Sequence, residues 1–159
     1  MRKWTLRLAG AVALAVVLVA LLAWLTLRAS LPTLDGSVTV AGLDAGATIE
    51  RDAEGIVTIT AATRADAAFA TGFAHGQDRF FQMDLQRRNA AGELSALFGK
   101  LALPTDQANR IHRFRARAER NFALVTPGVR ALLEAYAEGV NHYGALHPGE
   151  LRAEILPVR

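Results

Sequence analysis

The sequence predicts an α+β fold that is mostly helical, contains one β-hairpin and is preceded by a single membrane-spanning helix. Three observations indicate this: an unbroken apolar run over residues 8–27, a hairpin pattern over residues 47–61, and apolar residues at helical spacing after that. About 20 helical residues at roughly 1.5 Å each span the hydrocarbon core of a bilayer. With 159 residues, the chain holds one further domain at most.

The apolar run 8–27 is interpreted as an uncleaved signal-anchor behind a basic head, residues 1–7. Signal peptides usually have a shorter apolar region of about 7–15 residues and small residues at the cleavage site. Trp24, Leu27 and Arg28 stand where those small residues would be needed, so the cleaved alternative is less favoured. Basic residues in the head keep the N-terminus in the cytoplasm. This predicts a single-pass protein of the inner (cytoplasmic) membrane, with the remainder on the periplasmic side.

The net charge of +3 reflects membrane topology and gives no indication of nucleic-acid binding. Four of the 18 basic residues precede Leu31, and no acidic residue precedes Asp35. The part after the anchor therefore carries 14 basic and 15 acidic residues, which gives no general attraction to phosphate. The absence of cysteine excludes disulfides and zinc sites built from thiolates.

Residues 28–46 are interpreted as a linker with one weak strand, and residues 47–61 as a β-hairpin. The weak strand is indicated by Val38, Val40 and Leu43, which alternate with smaller or polar residues. The hairpin has a turn at residues 52–55, with Gly55 suited to a positive φ, followed by β-branched residues 56–60.

From residue 61 the pattern is helical, and its first face carries two glycines. Phe69, Gly72, Phe73 and Gly76 recur at i, i+3, i+4 and i+7. Glycine costs roughly 1 kcal/mol against alanine inside a helix, so two on one face suggest that another element approaches closely. A helix break near Gly76 is the equally weighted alternative. The helix is predicted to run to about residue 90 and to stop at residues 89–92.

Three further helices are predicted. A short one over residues 93–98 ends at Gly99. The next opens near residues 104–106, with Thr105 or Asp106 as its N-cap, and continues along an apolar stripe to Phe122. Thr126 and a following proline start the last helix, which a turn at residues 147–149 follows. The stripe of that last helix consists of Val129, Leu132, Leu133, Tyr136, Val140 and Tyr143.

The chain offers few groups for catalysis. Serine occurs only at positions 30, 37 and 95, and no histidine lies near Ser95 in the sequence. His75, His112, His142 and His147 lack the spacing of a zinc protease, so no catalytic, cofactor-binding or metal residue is predicted in this chain. The basic cluster over residues 110–120 is interpreted as a solvated helix face in preference to an anion site.

The stretch 72–99 combines aromatic residues with many charged ones. Charged groups packed among apolar side chains need partners, because an unpaired buried charge is costly. We therefore expect residues outside this stretch to supply some of those partners. Asp84 precedes Arg87 and Arg88 by three and four positions, which favours ion pairs within the helix.

Several runs of the sequence resemble the penicillin acylase family of N-terminal-nucleophile amidohydrolases, which also includes acyl-homoserine lactone acylases. The matching runs are RDAEGI at residues 51–56, GFAHGQDRFFQMDLQRR at 72–88, GEL at 92–94, LFG at 97–99 and YAEGVN at 136–141. The order and length of the match make it more specific than a short motif. The chain departs from the family at residues 56–59, which read IVTI where the family commonly has Val-Pro-His-Ile.

The resemblance implies that residues 47–159 are part of the α-chain region of a precursor that cuts itself into α and β chains. The implied fold is the N-terminal portion of an αββα sandwich, most of whose sheet comes from the β chain. That chain would begin with a serine whose own α-amino group acts as the base. The family's Ser-Asn-x-Trp start does not occur here. The glutamate that binds calcium in the family would also lie beyond Arg159. Any calcium site is therefore expected in the full-length enzyme and not in this chain.

The resemblance implies two partners, the β-chain region of the same precursor and a small acyl amide. The chain is expected to be attached to the membrane through residues 8–27. This chain alone is expected to be inactive. A non-catalytic membrane-anchored binding or scaffold module, or a remnant of such a gene, is the alternative. Residues of the matching runs are expected to form a structural and maturation hub: Arg51, Asp52, Gly55, His75, Gln77, Asp78, Arg79, Gln82, Arg87 and Arg88.

Overall fold

The computed structural model describes residues 2–29 and 31–146, which form mostly helices and one two-stranded antiparallel sheet. The predicted turn at residues 147–149 lies outside the described residues. In chain order the elements are α1 Arg2–Ala29, β1 Ala47–Arg51, β2 Val57–Ala61, α2 Arg64–Ala91, α3 Ser95–Phe98, a 3₁₀ turn Gly99–Ala102, α4 Leu103–His112, α5 Phe114–Phe122 and α6 Pro127–Leu146.

Helix α1 contains the apolar run that was predicted to span a membrane. Its segment Ala9–Ala29 has 21 residues and a mean hydropathy of 2.6, and its side chains are not buried against the rest of the protein. By length and composition this helix is suited to cross a bilayer.

The linker does not form the predicted weak strand. Residues 37–46 are loop and bends, and Val38 is exposed. An alternating sequence becomes a strand only where a neighbouring strand pairs with its backbone groups. Within the described residues the only sheet is the hairpin, so the linker has no such partner.

The predicted hairpin over residues 47–61 is confirmed. Strands β1 and β2 pair antiparallel, with Ile49 opposite Ile59 and Arg51 opposite Val57. In both strands half-buried residues alternate with exposed ones, as the period of two requires. The half-buried face contacts α2.

The two glycines of α2 mark a close helix crossing with α6. A Cβ atom built on Gly72 would lie 2.0 Å from the carbonyl oxygen of Tyr136, and one built on Gly139 of α6 would lie 2.0 Å from that of Phe69. The expectation of close approach is therefore confirmed. The alternative of a helix break near Gly76 is also met, within one turn: the helix continues through Gly76 and departs from helical dihedrals at Arg79, with φ −144° and ψ 19°.

The small apolar core lies at this crossing. Its buried apolar residues are Phe69, Ala70 and Ala74 of α2 and Tyr143 of α6. The rings of Phe73 and Tyr143 meet edge to face, with centroids 5.3 Å apart. The predicted stripe of α6 is only partly used, because Val129 and Leu133 at its beginning are each 46% exposed.

Two predictions for the segment after α2 are wrong. The helix expected to run from residue 104 to Phe122 is broken at Arg113, which has left-handed dihedrals of φ 53° and ψ 42° and separates α4 from α5. Asp106 does not cap its own helix, because α4 starts at Leu103 and places Asp106 in its first turn. There the buried Asp106 carboxylate accepts hydrogen bonds from the amides of Leu94 and Ser95, so it caps α3 instead.

Candidate functional site

The candidate residues separate into small clusters, the first of which joins the hairpin to α2. Arg51, the last residue of β1, donates from Nη2 to Asp78 Oδ1 at 2.9 Å and from Nη1 to Asp78 Oδ2 at 3.0 Å. This is the paired geometry in which a guanidinium recognises a carboxylate most specifically. Arg51 Nη2 also donates to Gln77 Oε1 at 2.8 Å. Gln77 Nε2 in turn donates to the carbonyl oxygen of Thr33 at 2.9 Å, which ties the linker to the same cluster.

Asp52 and Gly55 support this cluster by shaping the hairpin turn. Asp52 Oδ1 accepts hydrogen bonds from the amides of Glu54 at 3.1 Å and Ile56 at 2.7 Å. Gly55 has a φ of 81°, which a side chain would disfavour, and its amide donates to the Asp52 carbonyl at 3.0 Å. The turn therefore determines the position from which Arg51 reaches α2.

Asp84 forms the second cluster together with Arg87 and Arg88, entirely within α2. Arg87 donates to Asp84 Oδ1 from Nε at 3.1 Å and Nη2 at 2.6 Å, and Arg88 Nε donates to Asp84 Oδ2 at 2.6 Å. Burial raises the pKa of Asp84, but the hydrogen bonds and charges of the two arginines outweigh burial and lower it. The ion pairs predicted from the spacing are confirmed.

His75 connects α2 to α6. Its Nδ1 lies 2.8 Å from the hydroxyl oxygen of Tyr136, and the two rings meet at an interplanar angle of 75°. Either atom can be the donor, depending on the histidine tautomer. Arg51, Thr33 and Tyr136 all lie outside the stretch 72–99, so the expectation of partners beyond it is met within this chain.

Arg79 and Gln82 differ from the other candidates. Both are exposed, and neither side chain makes a hydrogen bond or an ion pair within the described part of the chain. They lie at and just after the departure from helical dihedrals in α2. No cluster incorporates them.

Asp66, which the sequence reasoning did not single out, is one of two buried carboxylates in the described residues. Its Oδ1 accepts from the Asp44 amide at 2.9 Å, and its own amide donates to Thr63 Oγ1 at 3.0 Å. Burial raises the pKa of Asp66, but hydrogen bonds from the Asp44 backbone and from Thr63 outweigh burial and lower it. A signal was present, because Thr63 and Asp66 have the spacing of a capping box.

Asp106, the other buried carboxylate, organises the junction of α2, α3 and α4. Burial raises its pKa, but the hydrogen bonds from Ser95 and Leu94 and the charge of Arg110 lower it overall. Arg110 Nε also donates to the Gly92 carbonyl at 2.9 Å. The sequence carried no signal for this contact across elements, because a local pattern indicates only a cap for the residue's own helix.

The structure describes two of the three serines, and their environments differ. Ser37 lies in the exposed linker, and the Ser95 amide donates to Asp106 Oδ2 at 2.7 Å. Within residues 2–29 and 31–146, no group of three or more His, Asp or Glu side chains is arranged to hold a metal ion. The hydrogen bonds of the candidate residues connect the linker, the hairpin, α2 and α6.

Comparison with known proteins identifies relatives of this chain. The family described as penicillin amidase matches residues 46–159. The chain is 39% identical over 117 residues to penicillin acylase 2 proenzyme of Pseudomonas sp. (strain SE83), covering 74% of this chain and 15% of that protein. It is 37% identical over 114 residues to acyl-homoserine lactone acylase QuiP of Pseudomonas aeruginosa, covering 72% of this chain and 14% of that protein.

A solved structure has a similar fold. The thermostable penicillin G acylase from Alcaligenes faecalis superposes with a TM-score of 0.59 and 29% sequence identity, covering 71% of this chain and 59% of that chain. The chain thus spans a small part of the curated relatives' length and more than half of one solved chain.

Proposed function

Because the chain belongs to the penicillin amidase family, we propose that it is the first part of the α region of an amidohydrolase acting on an acylated small molecule. The named relatives are penicillin and acyl-homoserine lactone acylases, and both kinds of substrate carry an acyl group on nitrogen. The family match over residues 46–159 is the observation that carries the proposal. It includes the hairpin, α2 and α6, the elements joined by the candidate residues.

The proposed role of this chain is to provide structure, while the reacting groups lie elsewhere in the precursor. Acyl transfer requires a nucleophile next to a base, together with donors for the oxyanion. In the described residues, Ser37 lies in the exposed linker, and the Asp106 carboxylate beside Ser95 is a poor base, because its hydrogen bonds to Ser95 and Leu94 outweigh burial and lower its pKa. The nucleophile is instead assigned to a serine at the start of the β chain. Clusters around Arg51 and Asp106 hold the hairpin and helices in the arrangement against which that chain folds.

The protein is further proposed to be anchored in the cytoplasmic membrane through residues 8–27, with its N-terminus inside and the remainder in the periplasm. Helix α1 supports this by its length and hydropathy. Near its end, the Arg28 guanidinium lies 5.3 Å from the ring centre of Trp24. Tryptophan and arginine are typical of the interface between lipid and water.

The proposal is tested by assaying hydrolysis of chromogenic N-acyl anilides by the 159-residue chain alone and by the chain together with the C-terminal part of a relative. We expect no hydrolysis by the chain alone. Turnover in the pair should depend on the relative's N-terminal serine. Hydrolysis by the chain alone, lost on changing a residue within it, would refute the assignment of the nucleophile.

The sequence encoded after Arg159 is a second and simpler test. A small residue followed by Ser-Asn-x-Trp further along the frame would favour the hydrolase. A stop codon immediately after Arg159 would favour the anchored scaffold or remnant.

A further inference from the structure

The linker after α1 is held against the folded domain at two places. Near its beginning, the Thr33 carbonyl accepts a hydrogen bond at 2.9 Å from Gln77 Nε2, in the middle of α2. Near its end, the Asp44 amide donates at 2.9 Å to Oδ1 of Asp66, in the first turn of α2. Asp66 is only 1% exposed, so the second contact lies inside the folded domain. The part between the two contacts, residues 33–44, is called the strap below.

Between these contacts the strap also touches α6. Gly42 has a φ of 97°, and a Cβ built on it would lie 2.5 Å from Glu138 Oε1, so the strap backbone passes directly against a side chain of α6. Gln77 and Asp66 are eleven positions apart, which corresponds to about 16 Å along α2. Eleven residues of extended chain span up to about 40 Å. The strap is therefore folded onto the helices and is not stretched between its ends.

Gln77 also connects the strap to the hairpin. Its Oε1 accepts from Arg51 Nη2 at 2.8 Å, while its Nε2 donates to the strap, so both ends of the amide are bonded. Arg51 is itself fixed by its paired hydrogen bonds to Asp78. The first contact of the strap is therefore part of a network of polar side chains, in which each bond restricts the geometry of the next.

Only a short piece of chain separates this contact from α1. The segment Ala9–Ala29 is long and apolar enough to cross a bilayer, and the Arg28 guanidinium lies over the Trp24 ring, a pair typical of the interface between lipid and water. Thr33 follows Arg28 by five positions, which allows a separation of at most about 18 Å. With α1 in a bilayer, Gln77 therefore lies within about 20 Å of the membrane surface.

The residues of this short piece are suited to contact with lipid. Leu31 is 65% exposed and Leu34 57%. No acidic residue precedes Asp35 in the chain. Apolar side chains bind to the lipid interface in proportion to the area they bury there, and the absence of carboxylates avoids repulsion by anionic headgroups. Residues 31–34 therefore have the composition of a segment that lies in the interface.

We propose that the strap holds the domain at the membrane surface, with the middle of α2 toward the lipid headgroups and Leu31 and Leu34 in contact with them. This inference rests on the membrane anchor of the proposed function. A linker that was free from Arg28 to the start of β1 would reach up to about 65 Å and would leave the orientation of the domain undetermined. The strap removes that freedom, because it returns the chain to α2 only five residues after Arg28.

Two insertions of the same flexible sequence test this inference. About twelve Gly and Ser residues placed after Gly36 lengthen the strap between its two contacts, whereas the same insert after Ala29 lengthens the chain before the first contact. Both full-length chains would be placed in nanodiscs whose headgroups carry an acceptor dye. The donor dye would be attached through Gln82→Cys, because the chain has no cysteine and Gln82 is exposed on α2. Energy transfer then reports the distance of α2 from the lipid.

The insert after Gly36 should leave the energy transfer unchanged, because both contacts remain and the added residues loop out between them. The insert after Ala29 should lower it by about half, since about twelve flexible residues add roughly 20 Å of reach. An equal loss with both inserts would overturn the inference, because the linker would then be a free spacer. No loss with either insert would also overturn it, because the domain would then bind lipid without the strap.

A point substitution tests the contact that holds the strap. Combined with the insert after Gly36, Gln77→Ala should lower the energy transfer toward the value of the Ala29 insert. Gln86→Ala is the matched control, because this glutamine is exposed on the same helix and its side chain makes no hydrogen bond within the described residues. Equal transfer in the two variants would overturn the inference. A chain that does not stay in the nanodiscs would contradict the proposed anchor and the inference with it, whereas a retained chain with a free linker contradicts the inference alone.

Discussion

The crossing of α2 and α6 leads to a quantitative prediction about its glycines. A methyl group on Gly72 or Gly139 would lie 2.0 Å from a backbone carbonyl oxygen of the other helix. A main-chain oxygen cannot rotate away, so the helices must move apart and the contacts around the core loosen. Overpacking costs about 1–3 kcal/mol, and more when the backbone must shift.

The intrinsic preference for alanine in helices acts in the opposite direction, by about 1 kcal/mol. Since the carbonyl contact is far inside van der Waals distance, we expect Gly72→Ala or Gly139→Ala to lower the free energy of unfolding by about 2 kcal/mol net. For a domain of this size that corresponds to a Tm lower by about 8 °C.

Two other glycines provide a graded control. A Cβ on Gly128 of α6 would meet no atom within 4 Å, so Gly128→Ala should raise stability by about 0.5–1 kcal/mol. A Cβ on Gly76 would lie 3.1 Å from Tyr143 Cβ, so the stability of Gly76→Ala should lie between those of Gly72→Ala and Gly128→Ala. Thermal unfolding of the full chain in detergent, followed by circular dichroism at about 222 nm, measures the series. Equal Tm values for Gly72→Ala and Gly128→Ala would refute the close crossing.

Three further predictions concern charged residues. The folded-state pKa of Asp106 lies below its unfolded value. Its contribution to stability is therefore fully present above the unfolded pKa of about 3.9 and is lost as the pH falls through the folded pKa. We expect the Tm to fall as the pH is lowered through these two pKa values, and to fall less steeply in Asp106→Asn. Arg113 has a left-handed φ of 53°, so Arg113→Gly should raise the free energy of unfolding by about 1 kcal/mol while Arg113→Ala, which keeps a Cβ, should not. A double-mutant cycle with Arg51→Gln and Asp78→Asn should give a coupling energy of roughly 1 kcal/mol in urea unfolding, and additive effects would contradict the paired geometry.

The clusters change the interpretation of the candidate residues. They were expected to form a structural and maturation hub, and Arg51, His75 and Arg88 all find hydrogen-bond partners within this chain. Arg79 and Gln82 are the candidates whose side chains make no hydrogen bond within the described residues. Contacts of these two side chains with other parts of the precursor therefore stay a prediction.

Local signals made several elements predictable from the sequence alone. The apolar run of α1, the turn and alternation of the hairpin, and the start of α6 after Thr126 each depend on residues close together in the chain. The spacing of Asp84 from Arg87 and Arg88 likewise determined their ion pairs, because side chains three and four apart share a helix face. The runs that resemble the family were sufficient to identify it.

Only the tertiary structure decided which residues act across elements. The pattern around Gly72 was compatible with a close crossing or a helix break, and the structure contains both, because α6 crosses at Gly72 and the helix departs from helical dihedrals at Arg79. Asp106 has the pattern of a cap for its own helix but caps α3, because a carboxylate binds whichever free amides lie within reach. Arg51 pairs with Asp78, 27 positions away, only because the hairpin packs on α2. Sequence patterns act over a few residues, whereas these contacts depend on how separate elements are packed together.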